Sequence, residues 1–95
     1  MAVLEYKSFK ENQRHDGTQV VLFFGDYELS IVKHSGSYGG RKGLYEIGVF
    51  KGNDMIELPG ITAEGDTVKG FLTELDVSAI IKKMYFLTGK SPRQI

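Results

Sequence analysis

The sequence predicts an α+β fold: an antiparallel β-meander of four to five strands with one C-terminal amphipathic helix packed on one face. Three observations carry this. Between residues 19 and 58, short β-favouring runs are separated by Gly, Asp and Asn turn signals. From Thr73 the apolar spacing changes from two residues to that of a helix. With 95 residues, the chain has room for one core and not two.

In chain order, residues 1–10 alternate loosely, with Val3 and Glu5 set against Leu4 and Tyr6, as in a short strand or a late-docking arm. Residues 11–17 are polar, end in Asp-Gly and read as loop. Gln19 to Phe24 is an unbroken apolar strand, and Gly25-Asp26 turns it into Tyr27 to His34 as a hairpin. Residues 35–43 hold four glycines and no aliphatic side chain, the longest loop signal in the chain. Leu44 to Phe50 resumes alternation, with Tyr45, Ile47 and Val49 on one face. Residues 51–54 turn the chain into a short strand from Met55 to Leu58, which Pro59-Gly60 ends. Residues 61–69, broken by Glu64-Gly65-Asp66, read as irregular or as a brief edge strand.

The helix has a start and a stop. Thr73 is placed as N-cap with Asp76 three residues on, and Gly89 as the residue past the last turn. Val77, Ile80, Ile81, Met84 and Leu87 form its apolar stripe, to be met by Leu29, Ile31, Ile47 and Val49 of the sheet. From about residue 89 the chain reads as a flexible tail, the whole of 1–95 being one domain. The other sheet face is half polar, showing Glu28, Ser30, His34 and Glu46, yet Val32 and Phe50 interrupt it. That mixture makes a homo-oligomer through this face a natural expectation.

Composition excludes several function classes. Twelve basic and twelve acidic residues balance, so nucleic acid is not expected as the main partner. Cysteine is absent, which removes disulfides, thiolate metal sites and thiol nucleophiles. The first ten residues lack the pattern of a signal peptide, and no apolar run has membrane-span length. A cytoplasmic protein without membrane attachment is the expectation. The charge is nevertheless segregated. Residues 30–43 carry Lys33, Arg41 and Lys42 and no acid, and residues 82–95 carry Lys82, Lys83, Lys90 and Arg93 and no acid. Residues 44–81 hold Lys51 and Lys69 against seven carboxylates.

No catalytic or metal motif is complete. The glycine-rich stretch fits neither a Walker loop nor G-x-G-x-x-G, and a strand follows where a phosphate-binding loop requires a helix. His15 and His34 stand 19 apart with no thiol to complete a zinc site, and His34-Ser35 are strand neighbours pointing to opposite faces. Glu74 and Asp76 are explained by the helix start, and Glu64 and Asp66 as solvated turn residues. No cofactor and no enzymatic activity are expected. Residues 35–43 have two readings. The plain one is a mobile connection between strands. The functional one is a contact loop, with Tyr38 as an aromatic anchor beside Arg41 and Lys42.

Two stretches carry a resemblance. Lys33-His34-Ser35-Gly36-Ser37-Tyr38-Gly39-Gly40 with Gly43-Leu44-Tyr45-Glu46, and later residues 65–73 ending Gly70-Phe71-Leu72-Thr73, look like small uncharacterised bacteriophage-encoded proteins. In those, a Ser-Tyr-Gly-Gly loop and a Gly-Phe/Tyr-Leu-Thr helix start recur in this order. The resemblance spans about residues 20 to 88 and brings no assigned activity. It implies a non-enzymatic binding protein that inhibits or modulates a bacterial host protein, such as a defence or nucleic-acid-processing enzyme. The binding residues expected are Tyr38, Gly39, Gly40, Arg41, Lys42 and His34, with the adjacent sheet edge. An oligomer that binds or sequesters a nucleotide or other small anion is the alternative, and a minor virion or accessory structural protein is a third.

Overall fold

The computed structural model describes residues 4–94. Its class is α+β, an antiparallel sheet with one C-terminal helix, but the sheet has seven strands and not four or five. Three long strands form its centre: β2 (Gly17–Phe24), β3 (Tyr27–His34) and β4 (Tyr45–Lys51). The other four are short and flank them: β1 (Asn12–Arg14), β5 (Asp54–Met55), β6 (Val68–Leu72) and β7 (Arg93–Gln94). On the outer side of β2 lie β1 at one end and β7 at the other, and on the outer side of β4 lie β6 and β5 in the same manner.

The hairpin turns at Gly25-Asp26 as its sequence requires, and its register sets Val20 opposite Ile31 and Leu22 opposite Leu29. In β4, Ile47 faces Ile31 and Val49 faces Leu29, so one continuous apolar surface crosses three strands. All six of these side chains are fully buried. The helix α1 (Glu74–Thr88) lies on this surface with Val77, Ile80, Ile81 and Met84 buried. Leu87, assigned to the same stripe by spacing, is instead exposed at 60 % of its surface, because at 3.6 residues per turn it falls at the edge of the stripe that Val77, Ile80, Ile81 and Met84 bury.

The helix ends follow their local chemistry. The Asp76 amide donates to Thr73 Oγ1 at 3.1 Å, and the Thr73 amide donates to Asp76 Oδ2 at 2.9 Å, a reciprocal cap. Leu72 and Val77, at the staple positions around it, are both buried. Gly89 takes φ 68 and its amide closes on the Tyr85 carbonyl.

Several segments differ from the sequence expectation. The N-terminal segment does not form a strand within its described residues: Tyr6–Ser8 is a 3₁₀ turn. It docks through the Tyr6 amide, which donates to Ser78 Oγ at 2.9 Å, and through the buried Tyr6 ring, 4.9 Å from that of Tyr45. The Tyr6 hydroxyl donates to Glu11 Oε2 at 2.7 Å. Burial, reinforced by this carboxylate, holds the phenol well above its ordinary titration range. Val3 lies outside the described residues. The polar stretch read as loop contains β1, and Met55 ends a strand where Met55 to Leu58 was expected to form one. The segment from 89, expected as a loose tail, returns to pair Arg93 and Gln94 with Phe23 and Leu22. There the Gln94 side-chain amide both donates to and accepts from the Lys10 backbone. No helix among the described residues is long and apolar enough to cross a membrane.

Candidate functional site

Residues 35–43 are an organised turn. Tight closure begins with the Ser37 side chain, whose hydroxyl donates to the His34 carbonyl at 2.8 Å and accepts from the His34 amide at 3.0 Å. Ser37 is buried as a result. A single 3₁₀ turn follows at Gly40–Lys42, bounded by Gly39 and Gly43 in the left-handed region. The amides of residues 36, 37, 38, 40, 42, 43 and 44 all donate inside the structure. Glycine here serves packing rather than motion. A Cβ on Gly40 would stand 2.6 Å from Ser37 Oγ and 2.7 Å from the His34 carbonyl carbon.

This turn leans on β6. The Phe71 amide donates to the Tyr38 carbonyl at 3.1 Å, and the Tyr38 amide donates to Glu46 Oε1 at 2.8 Å. Contact this close needs Gly70, where a Cβ would lie 2.9 Å from the Tyr38 carbonyl oxygen. The next residue, Phe71, has φ 56, the sole non-glycine residue with positive φ among those described. A bulky side chain in that region is strained by about 1–2 kcal/mol, and here it is also 58 % exposed. Tyr38 is exposed to the same extent. The backbone thus holds two aromatic side chains out in solvent, side by side. Two shallow hollows border them. One, of about 240 Å³, lies between Tyr38, Phe71, Arg41 and Lys42. The second, of about 250 Å³, lies between Tyr38, Phe71, Val68 and Lys69.

Three cations surround the ridge. Arg41, Lys42 and Lys69 are exposed around it. Two carboxylates beside it are held by backbone amides: Glu46 accepts from the Tyr38 amide, and Asp66, which is exposed and also lines the second hollow, accepts at Oδ1 from the Thr67 and Val68 amides at 2.7 and 3.3 Å.

Five of the six residues expected from sequence, Tyr38, Gly39, Gly40, Arg41 and Lys42, therefore belong to one turn. His34 does not join them. Its backbone supports the turn, but its ring lines a separate hollow of about 650 Å³ with Arg14, His15, Asp16, Gln19 and Val32. There Nδ1 accepts from the Gly36 amide at 3.1 Å, and Asp16 accepts from the Ser35 hydroxyl, which holds the Asp16 carboxyl below its usual range. Phe71, Gly70 and Lys69 were missed as site residues. The signal for them in the sequence is the Gly70-Phe71 pair within the stretch 65–73, where it marks the approach to the helix.

Comparison with protein-family models, curated proteins and solved structures returned no match. The geometry of the ridge is therefore what speaks to function. It offers two exposed aromatic faces, three cations and no triad of His, Asp or Glu, among the described residues, grouped to hold a metal.

Proposed function

We propose that this chain is a non-enzymatic binding protein that docks on another protein through the Tyr38–Phe71 ridge. One observation carries the reading: Phe71 is exposed although its φ of 56 costs stability, and strain of that kind persists where a projecting side chain has a use. Aromatic anchors beside an Arg match the composition of contact hot spots, and the lysines sit where a polar rim would lie. The resemblance to small bacteriophage-encoded proteins supplies the setting. The partner is then a bacterial host protein, a defence or nucleic-acid-processing enzyme, which the ridge inhibits or modulates in the host cytoplasm. Reading the turn as a phosphate cradle is less favoured, because six of its amides already have internal acceptors.

The test is capture of a partner from bacterial lysate, followed by titration of the isolated pair. Alanine at Tyr38, Arg41 and Lys42 together is expected to weaken binding at least tenfold while leaving the melting temperature unchanged. Parallel loss of folding and binding, or undiminished binding by the triple variant, overturns the reading. A stabilising shift with any nucleotide in a thermal panel moves the assignment to the anion-binding alternative.

A further inference from the structure

The face of α1 turned away from the sheet carries its own pattern. Leu75, Ala79, Lys82 and Phe86 are all exposed and recur at spacings of four, three and four, the spacing of a coiled-coil seam. Leu75 is 81 % and Phe86 73 % exposed, the highest values among the large hydrophobic residues described. Val77, Ile80, Ile81 and Met84 bury the opposite side, so the helix is apolar on two faces and only one of them is covered.

We propose that this face pairs with the same face of a second copy, the two helices antiparallel about a two-fold axis between Ala79 and Lys82. The pattern is self-complementary about that point, as an isologous contact requires. Leu75 and Phe86 are equidistant from it, so each packs on the other's counterpart twice. Ala79 faces Lys82, and its methyl group leaves room for the lysine stem to cross while the ammonium reaches water. Charge follows the same symmetry. Asp76, whose carboxylate also caps the helix, and Lys83, whose ammonium also donates to the Gly60 carbonyl at 3.3 Å, lie on one flank of the seam and face each other reciprocally, giving two opposite-charge pairs. The acidic first turn, Glu74 and Asp76, lies against the half of the partner helix that carries Lys82 and Lys83. A parallel pair would instead set like charges and like dipole ends together. The surface is that of one helix about 22 Å long, smaller than a standard interface, so the dimer is weak and concentration-dependent.

Sedimentation equilibrium of the full chain from about 1 µM to about 1 mM reads the dimer directly. The mass is expected to rise towards twice the monomer value. Leu75→Ser with Phe86→Ser is expected to remain monomeric with an unchanged circular dichroism spectrum, since neither side chain is in the core. The orientation is read by cross-linking, for which a chain without cysteine is well suited. An equimolar mixture of Leu75→Cys and Phe86→Cys chains is expected to form the mixed disulfide. Neither variant alone is expected to cross-link, because identical positions lie about 16 Å apart in the antiparallel pair. A monomer at every concentration overturns the proposal, as does a dimer that the serine variant forms equally well. Cross-linking of either cysteine variant to itself overturns the antiparallel register. Co-sedimentation of a monomeric chain with anionic vesicles assigns the face to a lipid surface and also overturns it.

Discussion

Gly70 and Tyr38 meet backbone to side chain with no room for a methyl group between them. A Cβ at residue 70 would overlap the Tyr38 Cβ and stand 2.9 Å from its carbonyl oxygen. Neither neighbour is the free end of a flexible side chain, so the turn or the strand must move. Gly70→Ala is expected to destabilise the protein by about 1–3 kcal/mol, read by urea unfolding. It should also abolish partner binding, because the displaced turn carries Tyr38. An alanine variant of wild-type stability would show that the turn is not seated on β6.

Phe71 reverses this relation between stability and use. Its left-handed backbone is one that asparagine tolerates far better, and its exposed ring contributes little burial. Phe71→Asn is expected to raise stability by up to about 1 kcal/mol and at the same time weaken partner binding. A destabilised asparagine variant would mean that the ring contributes packing that outweighs the strain.

The cap of α1 links stability to pH. Hydrogen bonds from Thr73 to the Asp76 carboxylate hold that carboxyl below its ordinary range. A depressed folded-state value stabilises the protein above the unfolded carboxyl value, about pH 4, and that contribution is lost as pH falls through the folded value. Thr73→Ala is expected to cost about 1 kcal/mol at neutral pH. Asp76→Asn should flatten part of the fall in stability on the acid side. Thermal melts between pH 2 and pH 7 check both, and an unchanged acid limb in Asp76→Asn would assign that fall to other carboxylates, such as Asp16.

The parts of the fold legible in the sequence are those whose cause is local. Gly25-Asp26 between two β-favouring runs gives the hairpin, and Thr73, Asp76 and Gly89 bracket the helix. The alternation of Leu29, Ile31, Ile47 and Val49 gives the core face. Of the four short strands, β5 and β6 overlap segments that the sequence marks as a short strand and a brief edge strand, whereas β1 and β7 have no such signature. Asn12–Arg14 and Arg93–Gln94 are polar and become strands because β2 offers unpaired backbone groups beside them. The full extent of β6 was obscured by the Gly65-Asp66 turn before it and by Phe71, whose conformation no strand pattern anticipates. At the candidate site, composition pointed to Tyr38, Arg41 and Lys42, but four glycines in nine residues suggested mobility. What they provide is close approach between segments distant in sequence, which only the assembled structure reveals. The same distance effect separates His34 from the residues it precedes by a few positions.

The flanking of β2 and β4 by pairs of two- to five-residue strands has a consequence in solution. Residues 20–24 are uncharged, β-prone and free of proline, the composition of a segment that templates fibrils when its backbone is left open. In the folded chain β3 pairs along one side of it, and on its other side β7 occupies the stretch beside Leu22 and Phe23, with β1 just before it. The short strands thus act as stoppers on sheet growth, too brief to recruit another molecule and sufficient to deny one access. Releasing Arg93–Gln94 would therefore shorten the protein's shelf life in concentrated solution well before it lowered its melting temperature.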